Sequence, residues 1–464
     1  MRRAERVAAA ALDLGSTRIK AGLLDPEGGL SGIEEVAAPP LAGEGPVREG
    51  DAEDYLGAAR GLVRRVAAGL PAGTPLGIAT QRSTFVLWHR ASGRPARPMV
   101  SWQDRRAAEW CVQNCRLEPE IVRRTGLLLS AHYAGPKLAA MQRTDEGLRR
   151  ALADGDHRFG TLETFLVWRW TAGQVHETDV SVAARTALVD LATLDWSDEL
   201  LRSFSVPRAL LPTIVPTRGR SHALDVGLAL AATVADQAAG ALALLDEDGG
   251  AALVNLGTGT FVLRATREAA CRRPGYLAAP ILAEGARARY SLEGTINGSG
   301  PALDRFGAAA VVLPDADPAP GAFAIPDASG LGSPHWRPEI GLTLSPEAER
   351  LDDTGRRRTV AEGLLFRIAS IVADLFDEAP PARVLVAGGS ARDPEIPAGL
   401  ATLLGRPVEL LADLESGLIG AARLAAGLPP NAAARTVRID PGRGRYLPGK
   451  LARWREWLAL QLGR

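Results

Sequence analysis

The stretch Val7–Asp25, VAAAALDLGSTRIKAGLLD, consists of two apolar runs separated by the short polar turn LDLGST. Val7–Leu14 and Ile19–Leu24 have the composition of two strands joined by this turn. A turn of glycine and hydroxyl residues between strands can direct several backbone N–H groups towards one anion. Gly15 has no Cβ and therefore leaves room for a phosphate group beside the backbone. The stretch predicts a phosphate-binding turn in a fold built from strands and helices.

The side chains around this turn fit the same interpretation. Ser16 and Thr17 add hydroxyl donors, and Asp13, near the end of the first strand, would face a cation that bridges phosphate oxygens. The alternative is that Asp13 only caps the turn, since Gly-Ser-Thr turns are common in α/β proteins. The chain has no G-x-x-x-x-G-K-[ST] sequence and no G-x-G-x-x-G sequence that opens a helix. A P-loop or a dinucleotide-binding fold is therefore not predicted.

A second turn of the same kind follows in the later half of the chain. The apolar runs Ala251–Leu256 and Phe261–Ala265 flank Gly-Thr-Gly-Thr, and the run Arg383–Ala387 precedes Gly-Gly-Ser. Such strands, together with amphipathic helices such as Thr359–Phe376, favour an α/β architecture in both halves. Val311–Ala328, which is rich in proline and alanine, is predicted to be a surface loop.

The domain organisation follows from a polar break. Residues 246–250, DEDGG, interrupt the apolar pattern between the two halves. We predict a first domain at residues 1–246 and a second at 247–430. Residues 431–464 are predicted to form a C-terminal extension with a short helix at Trp454–Leu460.

Composition excludes several classes of partner. The 464 residues carry a formal net charge of zero, which gives no electrostatic reason to expect nucleic acid or an anionic membrane. The cysteines, Cys111, Cys115 and Cys271, are odd in number and predict no disulfide framework, which favours a cytoplasmic location. No apolar run is long enough to span a bilayer. The N-terminal MRRAERVAAAALDLG is not expected to be a secretory signal, because its apolar run is short and contains Asp13.

Taken in order, the motifs resemble one known family. They are LDLGST, TQRSTFVLWHRASGRP, VSWQDRRA, HETDVSVAARTALVDLATLDWSDELL, ADQAAG, NLGTGTFVL, LEGTINGSG, GLGSPHW and VAGGSARD. From about Val7 to Gly427 the chain resembles the FGGY family of sugar and polyol kinases, within the actin-like ATPases, and especially its glycerol kinases. The resemblance implies two actin-like, ribonuclease H-like α/β domains with a catalytic cleft between them. It also implies ATP-dependent phosphorylation of a hydroxyl on a small polyol or sugar, with Mg²⁺, and it allows a homodimer or homotetramer.

The resemblance also implies roles for individual residues. Asp236 matches the catalytic base, and Asp13 matches the residue that orients magnesium. The implied substrate contacts are Arg82, Ser83, Trp102, His132, Asp236 and Gln237. The implied nucleotide contacts are Gly15, Ser16, Thr17, Gly257, Thr258, Gly300, Asp304, Gly389, Ser390 and Asp393.

The chain departs from the glycerol kinase pattern at several places. Ser83 stands where that pattern has a glutamate after the arginine, so the carboxylate that accepts hydrogen bonds from substrate hydroxyls is missing. His132 aligns with a substrate-contacting tyrosine, Lys137 lacks its following tryptophan, and Ala235 replaces a glycine. A glycerol-like substrate is favoured, and a ketose kinase acting on xylulose or ribulose is the alternative.

The sequence leaves other interpretations open. Asp236 could be a helix N-cap, Trp102 could be a core residue, and His132 could be a hydrogen-bonded polar residue. Asp104 could pair with Arg105 or Arg106, or it could bind a sugar hydroxyl. A nucleotide-binding sensor of the actin-like group without kinase activity is the alternative from another functional class.

Overall fold

The computed structural model describes residues 7–268, 273–285, 287–412, 415–429 and 435–463. Cys271 and the first six residues lie outside these ranges. The chain divides into two compact units. The first comprises Met1–Ala243, Ala278–Tyr290 and Glu415–Ala432, and the second comprises Leu244–Leu277, Ser291–Leu414 and Ala433–Arg464. The domain bounds expected from the sequence stay predictions.

The early strands are β1 (Ala9–Leu14), β2 (Arg18–Leu24), β3 (Leu30–Ala37), β4 (Glu49–Gly50), β5 (Pro75–Thr80), β6 (Phe85–His89), β7 (Met99–Val100), β8 (His157–Thr161), β9 (Glu177–Asp179), β10 (Val189–Asp190), β11 (Asp195–Trp196), β12 (Thr213–Val215), β13 (Arg218–Ala223) and β14 (Ala229–Ala235). The later strands are β15 (Ala251–Leu256), β16 (Thr260–Thr266), β17 (Leu277–Glu284), β18 (Arg287–Ile296), β19 (Ala324–Ile325), β20 (Thr343–Leu344), β21 (Arg383–Ala387), β22 (Val408–Leu411) and β23 (Thr436–Ile439).

The α-helices are α1 (Ala52–Val66), α2 (Ala108–Gln113), α3 (Glu118–Thr125), α4 (Ala134–Thr144), α5 (Glu146–Ala153), α6 (Leu162–Trp170), α7 (Val180–Ala183), α8 (Asp198–Phe204), α9 (Asp236–Leu244), α10 (Ser299–Asp304), α11 (Pro346–Glu349), α12 (Asp353–Leu375), α13 (Glu395–Leu404), α14 (Ser416–Ala425) and α15 (Leu447–Gln461). No helix among the described residues is both long enough and apolar enough to cross a membrane.

The main sheet of the first unit brings three strand ends to one edge. Its strands run in the order β13-β14-β5-β1-β2-β3. β1 and β14 both pair in parallel with β5, and Leu14 and Ala235 both lie opposite Thr80. Because the carboxyl ends of parallel strands share an edge, the residues that follow β1, β5 and β14 lie near one another. This edge is where the motifs LDLGST, TQRST and ADQ fall.

The second unit repeats this arrangement, with strands in the order β16-β15-β21-β22-β23. β15 and β16 form the predicted antiparallel hairpin, and β21 pairs in parallel with β15, with Ala387 opposite Asn255. Gly388 follows β21 with φ +102°, and a Cβ there would lie 2.4 Å from the Leu256 oxygen. Glycine is therefore required at this point.

Both predicted hairpins and the mixed α/β architecture are confirmed, while two predicted bounds were wrong. The C-terminal helix α15 begins at Leu447 rather than at Trp454, because Pro448 lies in the first turn, where a missing N–H costs nothing. Helix α12 begins six residues before the predicted Thr359, and the Asp352 carboxylate caps it by accepting from Gly355 N at 2.8 Å.

The prediction of a surface loop at Val311–Ala328 was wrong in part. Val311 and Leu313 are buried, as are the residues around β19. The Val311 N–H donates to the Asp393 carboxylate at 2.7 Å, and the Leu313 N–H donates to Glu395 at 3.2 Å. These carboxylates satisfy backbone groups that an apolar, proline-rich segment could not satisfy itself.

Helix α15 is fixed to the second unit by a buried charged cluster, here called the C-terminal anchor, consisting of Lys450, Glu362, Asp317 and Tyr446. Lys450 Nζ lies 2.7 Å from Glu362 Oε2 and 3.2 Å from Asp317 Oδ1, and the lysine is fully buried. The Tyr446 hydroxyl donates to Glu362 Oε1 at 2.6 Å. The anchor therefore joins α15, α12 and the segment that precedes β19.

Candidate active site

Two carboxylates lie at the shared strand edge of the first unit. Asp13 is near the end of β1, and Asp236 is the first residue of α9, directly after β14. A Cβ placed on Gly417, in α14, would lie 3.4 Å from Asp13 Oδ2 and 3.6 Å from the Asp236 backbone oxygen. Gly417 therefore lies within ordinary van der Waals range of both residues.

One carboxylate oxygen of Asp13, Oδ1, is buried but receives no hydrogen bond from the described residues. Burial, followed by the charge of Asp236, raises the pKa of Asp13 to about 7. Buried polar atoms are normally hydrogen-bonded, and an exception in a native structure needs an explanation such as an ion. The unpartnered Oδ1 atom of Asp13 therefore fits contact with a bound cation.

An ion pair lies beside Asp13 that sequence reasoning missed. Lys20 is the cross-strand partner of Asp13 in the β1–β2 hairpin. Its Nζ atom lies 2.7 Å and 2.9 Å from the two carboxylate oxygens of Glu415. The hairpin pattern could have placed Lys20 on the same face as Asp13. Nothing local in the sequence indicates Glu415, which is 395 positions away.

A buried hydrogen-bond chain fixes the backbone just before Asp236. The Ala235 N–H donates to Ser181 Oγ at 2.9 Å, and the Ser181 hydroxyl donates in turn to Asp179. Asp179 also accepts from the Thr217 hydroxyl at 2.6 Å. The Asp236 carboxylate accepts from the Gln237 N–H at 2.7 Å. The strand end that presents Asp236 is thereby held in one position.

The side chain of Gln237 offers a second unused acceptor at this edge. Its Oε1 atom is buried and has no hydrogen-bond partner within the described part of the chain. An amide oxygen accepts hydrogen bonds from hydroxyl groups. The side chain therefore fits a hydroxyl-bearing ligand next to Asp236.

Trp102 and His132 form an aromatic pair on the same unit. Their ring centroids are 5.5 Å apart. Burial, and then the charges of Lys137, Arg82 and Arg105, lower the pKa of His132 well below its ordinary value. His132 is therefore neutral near pH 7 and can act as a hydrogen-bond donor or acceptor, but not as a cation.

Ser83 and Asp104 are engaged inside the protein. Ser83 is fully buried with φ +65°, and its hydroxyl donates to the Arg185 oxygen at 2.8 Å. Asp104 accepts from the Arg106 side chain at 2.9 Å and 2.8 Å and from the Arg48 N–H at 2.7 Å. Burial alone would raise the pKa of Asp104, but these bonds lower it. Of the alternatives open from the sequence, the structure favours an ion pair for Asp104. The predicted substrate contact of Ser83 stays a prediction.

The second unit gathers the glycine-rich nucleotide candidates. Gly300 N donates to the Thr258 oxygen at 3.1 Å, and a Cβ at Gly300 would lie 2.9 Å from the Gly257 oxygen. Gly389 and Ser390 follow β21, the strand next to β15. Gly257 and Thr258 thus follow β15, and Gly389 and Ser390 follow its parallel neighbour β21, while Gly300 lies in α10 against the first of these turns.

Asp393 and Asp304, the two acidic residues predicted to contact the nucleotide, have different surroundings. Asp393 uses one carboxylate oxygen to hold Val311 N and the other to accept from Glu395 N at 3.2 Å. Asp304 is exposed at the end of α10. On the first unit, Ser16 is half-buried and Thr17 is exposed beside Gly15. Their contacts with a nucleotide stay predictions.

Two models of one family match almost the whole chain. The model described as the FGGY family of carbohydrate kinases, N-terminal domain, matches residues 8–239, and the C-terminal domain model of the same family matches residues 252–427. The chain belongs to the FGGY family of carbohydrate kinases. It is therefore a phosphotransferase with an alcohol group as acceptor, and membership implies ATP and a carbohydrate as substrates.

Relatives of this FGGY-family chain include several glycerol kinases. The glycerol kinase of Alkalilimnicola ehrlichii is 31% identical over an alignment of 483 positions that covers 96% of each chain. The glycerol kinase of Thermus brockianus is 34% identical over 342 residues, covering 69% of this chain and 68% of that one.

Solved structures share the two-domain actin-like fold. Plasmodium falciparum glycerol kinase with ADP superimposes with a TM-score of 0.83 at 19% identity, covering 98% of each chain. Xylulose kinase from Rhodospirillum rubrum has a TM-score of 0.80 at 19% identity, covering 98% of this chain and 99% of that one. At these identities the likeness shows the fold alone.

Replacing Asp13 with asparagine is expected to stabilise the metal-free protein while abolishing most activity. The pKa of Asp13 is about 7 in the folded state against 3.8 as its ordinary value. Between these values the folded protein retains a proton that the unfolded chain has lost, so wild-type stability falls as pH rises from about 4 to 7. The variant avoids this loss, on the order of a few kcal/mol. Urea unfolding of wild type and Asp13→Asn in EDTA at pH 4.5 and pH 8 tests this difference in stability. Equal stability of both proteins at pH 8 would contradict the electrostatic account.

Replacing Ser181 with alanine is expected to lower kcat about tenfold at unchanged KM for ATP, because the strand end that presents Asp236 loses a bond that holds it in position. The buried Ala235 N–H also loses its acceptor, which lowers stability by about 1–3 kcal/mol. Ser345→Ala is the matched control, since Ser345 Oγ also accepts a backbone N–H, that of Phe323, at 3.1 Å in the second unit. The control should lower stability and leave kcat unchanged. A Ser181→Ala enzyme with wild-type kcat would show that this bond does not position Asp236.

Proposed function

We propose that this FGGY kinase transfers the γ-phosphoryl group of ATP to a hydroxyl of a small polyol or sugar, with Asp236 as the general base. The observation that carries the proposal is the carboxylate pair at the shared strand edge of the first unit. Asp13 there has a buried oxygen without a hydrogen-bond donor, and the charge of Asp236 contributes to its raised pKa, so the two carboxylates lie close enough to interact. One acid can face a cation while its neighbour faces the acceptor hydroxyl.

Asp13 is proposed as the protein residue that faces Mg²⁺. The unpartnered Oδ1 atom is a hard oxygen donor of the kind that Mg²⁺ prefers. Within the described ranges, no group of three or more histidine, cysteine or acidic residues could hold a metal. That fits an ion bound through one or two carboxylates, waters and substrate phosphates rather than a full protein cage. When bound, Mg²⁺ neutralises charge on the phosphate oxygens.

Asp236 is proposed to accept the proton of the attacking hydroxyl. The bond from the Gln237 N–H orients one carboxylate oxygen, and the chain through Ser181 fixes the preceding peptide. General-base assistance of this kind contributes about 10²–10⁴-fold. The unused Gln237 oxygen is proposed to accept a hydrogen bond from the acceptor molecule.

The acceptor is proposed to be a glycerol-like polyol, with a ketose such as xylulose or ribulose as the second candidate. The glycerol kinase relatives support the first candidate. The second is supported by Ser83, which supplies no carboxylate and turns its hydroxyl to the Arg185 oxygen. Arg82, Trp102 and the neutral His132 are proposed as further substrate contacts.

The glycine-rich turns are proposed to bind ATP. Gly15, Ser16 and Thr17 would do so in the first unit. In the second unit the candidates are Gly257, Thr258, Gly300, Asp304, Gly389, Ser390 and Asp393. A cytoplasmic location and a homodimeric or homotetrameric assembly are proposed with the function.

An acceptor panel tests the proposal. ADP release is measured with glycerol, longer polyols, xylulose, ribulose and aldoses, and nucleotide binding is measured separately by calorimetry. We expect one acceptor class to stimulate ADP release well above the rate without acceptor. Tight ATP binding with no stimulation by any acceptor would contradict the proposal and favour the nucleotide-binding sensor.

A further inference from the structure

A continuous chain of hydrogen bonds runs from the Trp102 backbone to the phosphate turn at Gly15. The Trp102 N–H donates to Thr84 Oγ1 at 3.1 Å, and the Thr84 hydroxyl donates to Gln81 Oε1 at 2.9 Å. Gln81 Nε2 then donates to the Tyr55 hydroxyl at 3.3 Å, and that hydroxyl donates to the Gly15 oxygen at 2.5 Å. All five residues belong to the first unit.

The direction of every bond in this chain is fixed by its two ends. A backbone N–H can only donate, so Thr84 must accept from Trp102 and has its own proton left for Gln81. A backbone oxygen can only accept, so Tyr55 must donate to Gly15 and accept from the Gln81 amide. The Gln81 side chain therefore has one orientation that satisfies both neighbours.

The three side chains in the middle are shielded from water. Tyr55 is 1% exposed, Gln81 5% and Thr84 0%. Burial, together with the charges of Asp13 and Asp236, raises the pKa of Tyr55, so its hydroxyl retains the proton that it donates. A buried network of this kind holds its members in one arrangement, because water cannot replace a broken bond.

We propose that Tyr55, Gln81 and Thr84 are positioning residues that couple the Trp102 segment to the phosphate turn. Displacement of the Trp102 backbone by an acceptor would shift Thr84, and the shift would reach the Gly15 peptide through Gln81 and Tyr55. Acceptor and nucleotide would then change each other's affinity by the same factor, since linkage is reciprocal. The inference rests on the proposed function, in which Trp102 contacts the acceptor and Gly15 the nucleotide.

The first test compares Tyr55→Phe with Tyr446→Phe. Each variant removes one phenol hydroxyl that makes a hydrogen bond, but Tyr446 bonds to Glu362 in the second unit. The affinity for a non-hydrolysable ATP analogue is measured with and without the best acceptor of the panel. We expect coupling of about fivefold or more in wild type and in Tyr446→Phe, and less than twofold in Tyr55→Phe. Equal coupling in wild type and Tyr55→Phe would overturn the proposal.

The second test needs neither acceptor nor nucleotide, so it separates failure of this inference from failure of the proposed function. Hydrogen exchange at the Trp102 amide is compared in the same three proteins without ligand. Tyr55→Phe should accelerate this exchange by about fivefold or more, because loosening of the hydrogen-bond chain exposes the Trp102 N–H. Tyr446→Phe should leave the exchange rate unchanged. Unchanged exchange in Tyr55→Phe would overturn the proposal. If Tyr55→Phe does not fold, Thr84→Val takes its place in both tests. Thr84→Ser is then the control, and it should retain wild-type coupling and wild-type hydrogen exchange at the Trp102 amide.

Discussion

The Asp236→Asn enzyme is expected to turn over about 10²–10⁴-fold more slowly than wild type, with ATP affinity changed less than about twofold. Asparagine has the same shape and can still accept the Gln237 N–H bond that the carboxylate accepts at 2.7 Å. It cannot take a proton from an alcohol. The substitution therefore removes the proposed chemistry and retains the local structure.

The same substitution separates the catalytic role from the alternative of a helix cap. Asparagine and aspartate are about equally good N-caps, so a residue that only begins α9 would tolerate the change. Asp352→Asn is the matched control, because Asp352 caps α12 in the second unit. We expect the control to retain wild-type kcat. Steady-state kinetics with the best acceptor and calorimetry with ATP give the two readouts, and near-normal turnover of Asp236→Asn would contradict the assignment.

Lys450→Met is expected to lower the free energy of unfolding by about 3–5 kcal/mol, the cost of removing one partner of a buried ion pair. The lysine is fully buried, 2.7 Å from Glu362 and 3.2 Å from Asp317. Its removal leaves the buried Glu362 with only the more distant Arg358, at 3.7 Å, whereas Asp317 still pairs with Arg453 at 3.0 Å. The anchor also holds the segment before β19, because Lys450 donates to the Ala319 oxygen at 3.0 Å.

The loss in Lys450→Met should grow with pH. Burial raises the pKa of Glu362 although Lys450 and Tyr446 oppose this, and without the lysine the pKa will rise further. At low pH the folded variant can hold a proton on Glu362, but at higher pH the unfolded state is favoured because it ionises freely. Urea unfolding of wild type and Lys450→Met at pH 5.5 and pH 8 measures both the loss of stability and its increase with pH.

A second substitution provides the internal control for the anchor. Lys450→Met combined with Glu362→Gln should recover part of the stability, since the uncompensated charge is then absent. A loss below about 1 kcal/mol in Lys450→Met at pH 8 would contradict this description of the anchor.

The local pattern of the sequence was enough to predict the parts of the site that lie next to turns. The β1–β2 hairpin and its turn follow from alternating apolar and small polar residues, and Asp13 follows from its place near the strand end. Asp236 could be named only through the resemblance, because a short ADQ sequence has no local signature of its own.

The partners of these residues could not be predicted, because they come from distant parts of the chain. Glu415 reaches Lys20 across 395 positions, and Ser181 reaches Ala235 across 54. Tyr55 contacts Gly15 only because helix α1 packs against the first sheet. Such contacts depend on tertiary packing, which residue spacing does not encode.

The lysines also have partners that the sequence does not indicate. The chain has only three lysines, and each one has a defined partner in the structure. Lys20 pairs with Glu415, Lys137 donates to the Ser101 oxygen at 2.7 Å, and Lys450 lies in the C-terminal anchor. Composition counts residues but cannot tell which of them are buried and paired.

Mass spectrometry of the acceptor after incubation with ATP and Mg²⁺ measures directly whether the phosphoryl group reaches the acceptor. Wild type is expected to convert the best acceptor of the panel to its monophosphate in amounts equal to the ADP formed, and Asp236→Asn is expected to form almost none. ADP accompanied by free inorganic phosphate and no phosphorylated acceptor would contradict the proposed function, as would a wild-type yield from Asp236→Asn.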